Sequence, residues 1–396
     1  MNTLTRPRRG RRLRRFALMA ALVAGVSATA VSVASATTPT VVVGSGSDVM
    51  YHVNSALDTL YNQSPGCNVI APSGTQPLDQ SCVTDPANPD VTTEDKNHDV
   101  ITENYPIGGG AGVNQICSQG LAGVAHVDYA RQTSPYSATN CTGLHFVAFA
   151  RDAVTWEAFP GATGSAVANM HNTSGACNGV TGLCLTTAQL QGIFVNCTIT
   201  NWNQVGGANA AIKVYTILPQ YGTSKFWYLS LGGGSSTSCN AKAIHQTNNS
   251  EIAAADLKNA IVPVSVGSWT ERYKAKPAGS GLGAIDGVIP NLTTIGNGSF
   301  PFGRFLYNVF CAGDPANGNK CGNASPASAA TVAYVGENGW LCKQGTSVHV
   351  KDPTTGVAYH TEIQNTIKKY GFAALPSGAT GGGTTLTNWC RLTTHS

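Results

Sequence analysis

Three glycine-rich loops hold the residues of this 396-residue chain that are best suited to chemistry: Gly44–Asp48, Gly108–Gly112 and Gly222–Ser224. Each feeds the start of an expected helix. A helix start offers backbone N–H groups without helical acceptors and a partial positive charge. Glycine lets the backbone approach a ligand closely, so such loops can hold an anion with no charged side chain. The candidate contacts in them are Gly46, Ser47, Asp48, Gly109, Gly110, Gly222, Thr223 and Ser224, and Arg131 and Lys225 could add positive charge. Asp48 facing inward would repel an anion, whereas as an outward N-cap it would serve only its helix. Arg131 and Lys225 read equally well as solvated surface, and all three loops could be no more than tight turns.

The patterns expected of an enzyme are missing. There is no G-x-S-x-G elbow, and Ser47 has no His set beside it by sequence logic. The nine His include no H-E-x-x-H or H-x-H, and no C-x-x-C pair suggests zinc. His349 and His360 read as surface or strand residues. Glu94, Asp95 and Asp99 form an acidic run without the glycine-turned loop that calcium needs. The chain therefore reads as a non-enzyme without metal or cofactor. Trp202, Trp227 and Trp340 could stack on a sugar or base, although packing and surface anchoring suit them better.

The elements that must position these loops alternate between strand and helix. Thr40–Val43 is a short apolar strand, followed by a turn and a helix with Val49, Val53, Ala56, Leu57 and Leu60 on one face. Pro65–His98 reads as a loop-rich surface insertion. Strands are expected at Val124–Ala130, Leu144–Ala150 and Ile212–Leu218, the second apolar enough to be buried on both faces. Thr186 and Gln189 form a capping box with Leu185 and Leu190 as its staple, and an Asn201-Trp202-Asn203 surface segment follows. A helix should run from Gly222 to Gly232–Gly234. Thr361 and Gln364 suggest a second capping box, with Ile363, Ile367 and Tyr370 as the apolar stripe, Lys368 and Lys369 in the last turn and Gly371 as the stop. This alternation is that of an α/β fold.

The first residues read as an export signal: seven Arg between Arg6 and Arg15, an apolar stretch from Ala17 to Val33, and an Ala34-Ser35-Ala36 cleavage site. A membrane anchor is the alternative. Cleavage before Thr37 removes seven positive charges and no acid, so the chain's net charge of +4 becomes 4 − 7 = −3. Nothing basic enough to hold a nucleic-acid backbone remains. Twelve cysteines in an exported chain read as disulfides. Sequential pairing would join Cys67–Cys82, Cys117–Cys141, Cys177–Cys184, Cys197–Cys239, Cys311–Cys321 and Cys342–Cys390.

The order of motifs resembles the PstS-like family of phosphate ABC-transporter substrate-binding proteins. The resemblance runs through Leu185–Gly207, Gly44–Ser47, Ile107–Gln115, Val127–Arg131, Phe146–Trp156, Phe302–Val309 and Tyr370–Pro376, and so covers most of the mature chain. The high-Ala, Gly-rich composition resembles that of actinobacterial exported proteins. The resemblance implies a type II periplasmic-binding-protein fold: two α/β lobes, two crossover segments and a ligand cleft between the lobes. It places the signal at 1–36, lobe I at 37–145 and 305–396, and lobe II at 146–304. It also implies a monomeric, extracytoplasmic receptor that passes a small anion, phosphate, to an ABC permease. The ligand positions match less closely. Asp48-Val49 stands where the family has Thr-Phe, Gly110 where it has Ser, and Thr133 in the region of an Asp. No Arg precedes Gly222. A secreted binding or adhesion protein that has lost phosphate is the alternative, and a secreted hydrolase a more distant one.

Overall fold

The computed structural model describes residues 41–63, 100–103, 108–134, 141–246, 249–271, 279–337, 339–342, 355–375 and 390–395. The expected signal segment, the Pro65–His98 insertion, the Cys67–Cys82 pair, the Glu94–Asp99 run and His349 lie outside them.

Strand β1 (Val41–Gly46) extends beyond the apolar run into the glycine loop. A 3-10 turn at Asp48–Met50 opens helix α1 (Tyr51–Gln63), whose Val53 and Leu57 are fully buried. Next come β2 (Val100–Glu103), α2 (Gly109–Cys117), β3 (Tyr129–Gln132) and the long β4 (Leu144–Ala158). β3 starts five residues later than the Val124–Ala130 expectation. Asp128 accounts for the difference: its carboxylate accepts from Val43 N–H at 2.8 Å, taking the place of a backbone carbonyl, while its own N–H donates to Val43 O at 2.8 Å.

The middle of the chain supplies β5 (Cys184–Leu185), α3 (Thr187–Phe194), β6 (Lys213–Ile217), α4 (Gly222–Ser230), β7 (Lys242–Ile244), β8 (Ala260–Ser265) and α5 (Val266–Glu271). The expected capping box before α3 is formed, with Gln189 N–H on Thr186 Oγ1 and Thr186 N–H on Gln189 Oε1. Leu185 and Leu190 are both fully buried, as a staple requires. Trp202 departs from the surface reading. It is completely buried, and its indole N–H donates to Asn259 O at 3.0 Å, so the apolar ring outweighs its two polar neighbours.

After β9 (Gly281–Leu282), β10 (Ala284–Ile285) and α6 (Leu292–Gly296), the chain returns through β11 (Gly303–Cys311) to α7 (Ala329–Val335), α8 (Tyr359–Lys369), β12 (Ala373–Ala374) and β13 (Arg391–His395). The Thr361–Gln364 capping box is not formed. α8 begins at Tyr359, which is buried, so Thr361 already lies inside the first turn and its hydroxyl meets the ring of His360. His360 is thus a helix residue. Five of the expected disulfides are present: Cys117–Cys141, Cys177–Cys184, Cys197–Cys239, Cys311–Cys321 and Cys342–Cys390.

The main sheet runs β2-β1-β3-β11-β4-β8-β6-β7, with β9, β12 and β13 also paired to β4. The β2-β1-β3 and β8-β6-β7 wings are parallel, and β11 and β4 run antiparallel to their neighbours between them. Two apolar cores divide along these two long strands. One gathers β1, α1, α2, β3, α7 and α8 around β4 up to Ala150 and β11 from Leu306. The other gathers α3, α4, Trp202, Ile261 and Ile295 around β4 from Ala153, with Phe300 and Phe302. The seam falls at Arg151-Asp152 and Gly303-Arg304-Phe305.

Candidate functional site

At this seam the antiparallel register sets Arg304 of β11 opposite Asp152 of β4. Arg304 Nη2 and Nε both donate to Asp152 Oδ2, at 2.7 and 3.0 Å, and both side chains are almost wholly buried. Asp152 Oδ1 accepts from Gly267 N–H at the start of α5. Arg304 Nη2 also donates to Thr223 Oγ1 at 3.1 Å, reaching the first turn of α4. Its guanidinium carbon lies 5.5 Å from the Phe226 ring centroid. Among the described residues Nη1 of Arg304 is buried without a hydrogen-bond partner. A buried guanidinium nitrogen left unpaired is costly, so its place in the fold calls for a partner that the protein itself does not provide.

The three loops converge here. Gly46 has φ +119°, and a Cβ on it would sit 2.5 Å from Arg131 O, so only glycine fits where β1 pairs with β3 at Arg131. Ser47 N–H donates to Arg131 O at 2.9 Å, and Arg131 Nε donates back to Ser47 O at 3.1 Å. Arg131 is completely buried, with its guanidinium 5.5 Å from the Tyr51 ring centroid. Burial lowers its pKa to about 10, against the opposing fields of Asp58, Tyr51 and Asp48. Gly108 (φ +96°) caps α2 and donates to Gly46 O, joining the second loop to the first.

The third loop meets the other two across the seam. A Cβ on Gly222 would stand 2.7 Å from Thr133 Oγ1, and one on Gly108 would stand 3.4 Å from Gln220 O. Gln132 closes over Gly109, where a Cβ would fall 2.1 Å from its Oε1, and the same oxygen accepts from Thr133 N–H. The walls formed by the two cores therefore touch at Thr133–Gly222, at Gly108–Gln220 and at Arg304–Thr223. In α2 and α4 the first-turn N–H groups at Gly109, Gly110, Gly222 and Thr223 have no helical acceptor.

Asp48 sits at the mouth of the first loop, half-buried. Its Oδ1 accepts from Val49 N–H at 3.0 Å, a bond within the turn, and the N-cap position belongs to Ser47, whose side chain makes no capping bond. Desolvation pushes its carboxyl up to about 6, opposed by its backbone hydrogen bonds and by the guanidiniums of Arg304 and Arg131. Asp48 is thus not the N-cap that the sequence offers; it is a first-turn acid within the field of the two guanidiniums.

The expected residues divide into two groups. Gly46, Ser47, Asp48, Gly109, Gly110, Arg131, Thr133, Gly222 and Thr223 lie on the converging loops and the strand ends beneath them. Ser224 is buried behind Thr223 and borders, with Lys225, a groove on the outer side of α4 lined by Tyr228, Leu229 and Gly232–Gly234. Lys225 is exposed there and is not brought to Arg304. Arg304 and Asp152 were missed as site residues. The sequence signal for them was the charge set inside an apolar strand in each crossover, Arg151-Asp152 within Phe149–Val154 and Arg304 within Phe302–Val309. Among the described residues no group of His, Cys, Asp and Glu is set to hold a metal.

A family model described as a PBP superfamily domain matches residues 33–330. The chain belongs to the PBP superfamily. The fold of this PBP-superfamily chain is that of a phosphate ABC-transporter substrate-binding protein from Clostridium perfringens, putative by its description and solved with bound phosphate. The two align with a TM-score of 0.51 at 16% identity, over 85% of this chain and 99% of that one. A phosphate-binding protein from Stenotrophomonas maltophilia aligns with a TM-score of 0.46 at 14% identity over 85% and 91% of the two chains. An ABC-type phosphate transport receptor from Vibrio cholerae gives 0.44 at 18% over 70% and 90%. No curated protein matches the chain.

Proposed function

We propose that this chain is an extracytoplasmic solute-binding protein that captures a small oxyanion, phosphate, between two lobes and delivers it to an ABC permease. The observation that supports this reading is the buried, unpartnered Nη1 of Arg304 at a point where two helix starts converge. A buried cationic donor beside first-turn N–H groups suits a desolvated oxyanion and nothing neutral of similar size. Arg304 then takes the place of the arginine that the third loop lacks. It arrives from the return crossover instead, and Asp152 fixes its plane.

In this reading lobe I is 37–145 with 305–396 and lobe II is 146–304, with residues 1–36 removed on export. The protein acts as a monomer and without a cofactor. β4 and β11 are the two crossovers, and hinge motion about Arg151-Asp152 and Gly303-Arg304 opens the cleft. On capture, the anion receives Arg304 Nη1, the N–H groups of Gly109, Gly110, Gly222 and Thr223, and the hydroxyls of Ser47, Thr133 and Thr223. Ser224 supports this wall from behind, and exposed Lys225 adds only long-range attraction. No helix among the described residues is long and apolar enough to cross a membrane.

The test is Thr223→Val, titrated with inorganic phosphate by calorimetry. Thr223 Oγ1 already accepts from Arg304, which leaves its proton to donate. Losing a hydrogen bond to a charged group should weaken binding by ~10- to 100-fold while the circular dichroism stays unchanged. An unaltered affinity would remove Thr223 from the site.

A further inference from the structure

Four buried or half-buried charges alternate in sign through the site: Arg131 on β3, Asp48 on the first loop, Arg304 on β11 and Asp152 on β4. With all four ionised, two carboxylates face two guanidiniums, so the site is balanced before any ligand arrives and an anion brings the excess negative charge. A phosphate dianion set against Arg304 would also lie beside the Asp48 carboxylate. Like charges in a desolvated site cannot both persist, and the cheapest remedy is a proton on the weaker acid.

We propose that anion capture in this cleft takes up one proton, that Asp48 receives it on Oδ2, and that the resulting carboxyl donates a hydrogen bond to the anion. This deepens the oxyanion reading and rests on it. The two oxygens of Asp48 are not equivalent. Oδ1 is held by Val49 N–H, so the proton goes to the other oxygen. It comes from solvent, and no bond other than this O–H forms.

The neighbours of Asp48 favour the same choice. Asp152 is committed to Arg304 through two hydrogen bonds and to Gly267 N–H, which leaves neither of its oxygens free to face the anion. Asp58 lies on the far side of Arg131, with Tyr334 and Tyr129 donating to it, and has no path to the ligand. From α1 the ring of Tyr51 faces Arg131 rather than Asp48. The field on Asp48 itself comes from Arg304 and Arg131, and its carboxyl already stands at about 6 without ligand. A proton is therefore available near neutral pH. Capture would then be tighter on the acidic side of neutrality than phosphate's own ionisation explains.

The experiment is a carboxyl carbon-13 NMR titration of protein labelled at aspartate, from about pH 4 to about pH 9. It is run without ligand and with saturating inorganic phosphate. Asp48→Asn assigns the resonance by its disappearance, with Asp48→Ser as a second assignment variant should the first fold poorly. Phosphate should raise the Asp48 midpoint by about one pH unit or more. A saturable response of other resonances to phosphate with the Asp48 midpoint unmoved or lowered would overturn proton uptake and leave the oxyanion reading intact. No saturable response to phosphate at any pH would overturn both.

Discussion

Replacing Asp58 by Asn should change how the stability of this protein depends on pH. Asp58 is almost wholly buried on α1. Its Oδ1 accepts from Tyr334 O–H at 2.6 Å and from Tyr129 O–H at 3.4 Å. Desolvation pushes its carboxyl from 3.8 up to about 7, against those hydrogen bonds and the field of Arg131. A group whose folded pKa is raised contributes its full stability below the unfolded pKa and loses it as pH rises through the folded one. Each unit is worth 1.36 kcal/mol, so ionising Asp58 costs the folded state up to ~4 kcal/mol above neutrality. At pH ~5 part of that is already lost, which leaves roughly 3 kcal/mol to be lost by pH ~8.5.

Asparagine has the same shape, keeps an acceptor for Tyr334 and does not titrate. Urea unfolding at pH ~5 and ~8.5 should show the variant gaining roughly 3 kcal/mol on the wild type between the two conditions. Asp48 titrates in both proteins, so its share cancels. Stability curves that run parallel from acid to base would refute the reasoning, because they would mean that Asp58 ionises in the fold as easily as in water.

Two further outcomes follow from the seam. Arg304→Gln leaves Asp152 buried and uncompensated. It should cost ~3–5 kcal/mol in urea unfolding and also abolish calorimetric phosphate binding, and a loss under 1 kcal/mol would contradict the burial of the pair. Gly112→Ala drives a Cβ to within 2.7 Å of Gly46 Cα, a backbone atom that cannot step aside. It should lower stability by ~1–3 kcal/mol and weaken phosphate binding by displacing the first loop, whereas Gly120→Ala, with open space around it but φ +84°, should cost only its backbone strain.

Much of the site's frame was legible because glycine and capping residues act locally. Gly46 and Gly108 adopt positive φ where two loops must cross, and Thr186 and Gln189 bond each other across three residues. Such signals need no knowledge of the rest of the chain. The charges were harder to read because their partners lie far off in sequence. Asp152 and Arg304 meet through strand register, and Asp58 reaches Tyr334 across the core. A charge inside an apolar strand cannot be buried alone, so Asp152 in one crossover and Arg304 in the other were the clue to a pair. Trp202 and Thr361 misled for the opposite reason. Their immediate neighbours were read, while the buried indole and the buried Tyr359 decided the local structure.

The central claim is that the converging loops and Arg304 form an oxyanion site, and calorimetric titration of the oxidised, ligand-stripped protein with inorganic phosphate tests it most directly. The account predicts saturable one-site binding, competed by arsenate and untouched by neutral sugars, that disappears in Arg304→Gln. A well-folded protein that gives no saturable heat with phosphate, arsenate or sulfate, near either pH ~6 or pH ~8, would contradict it.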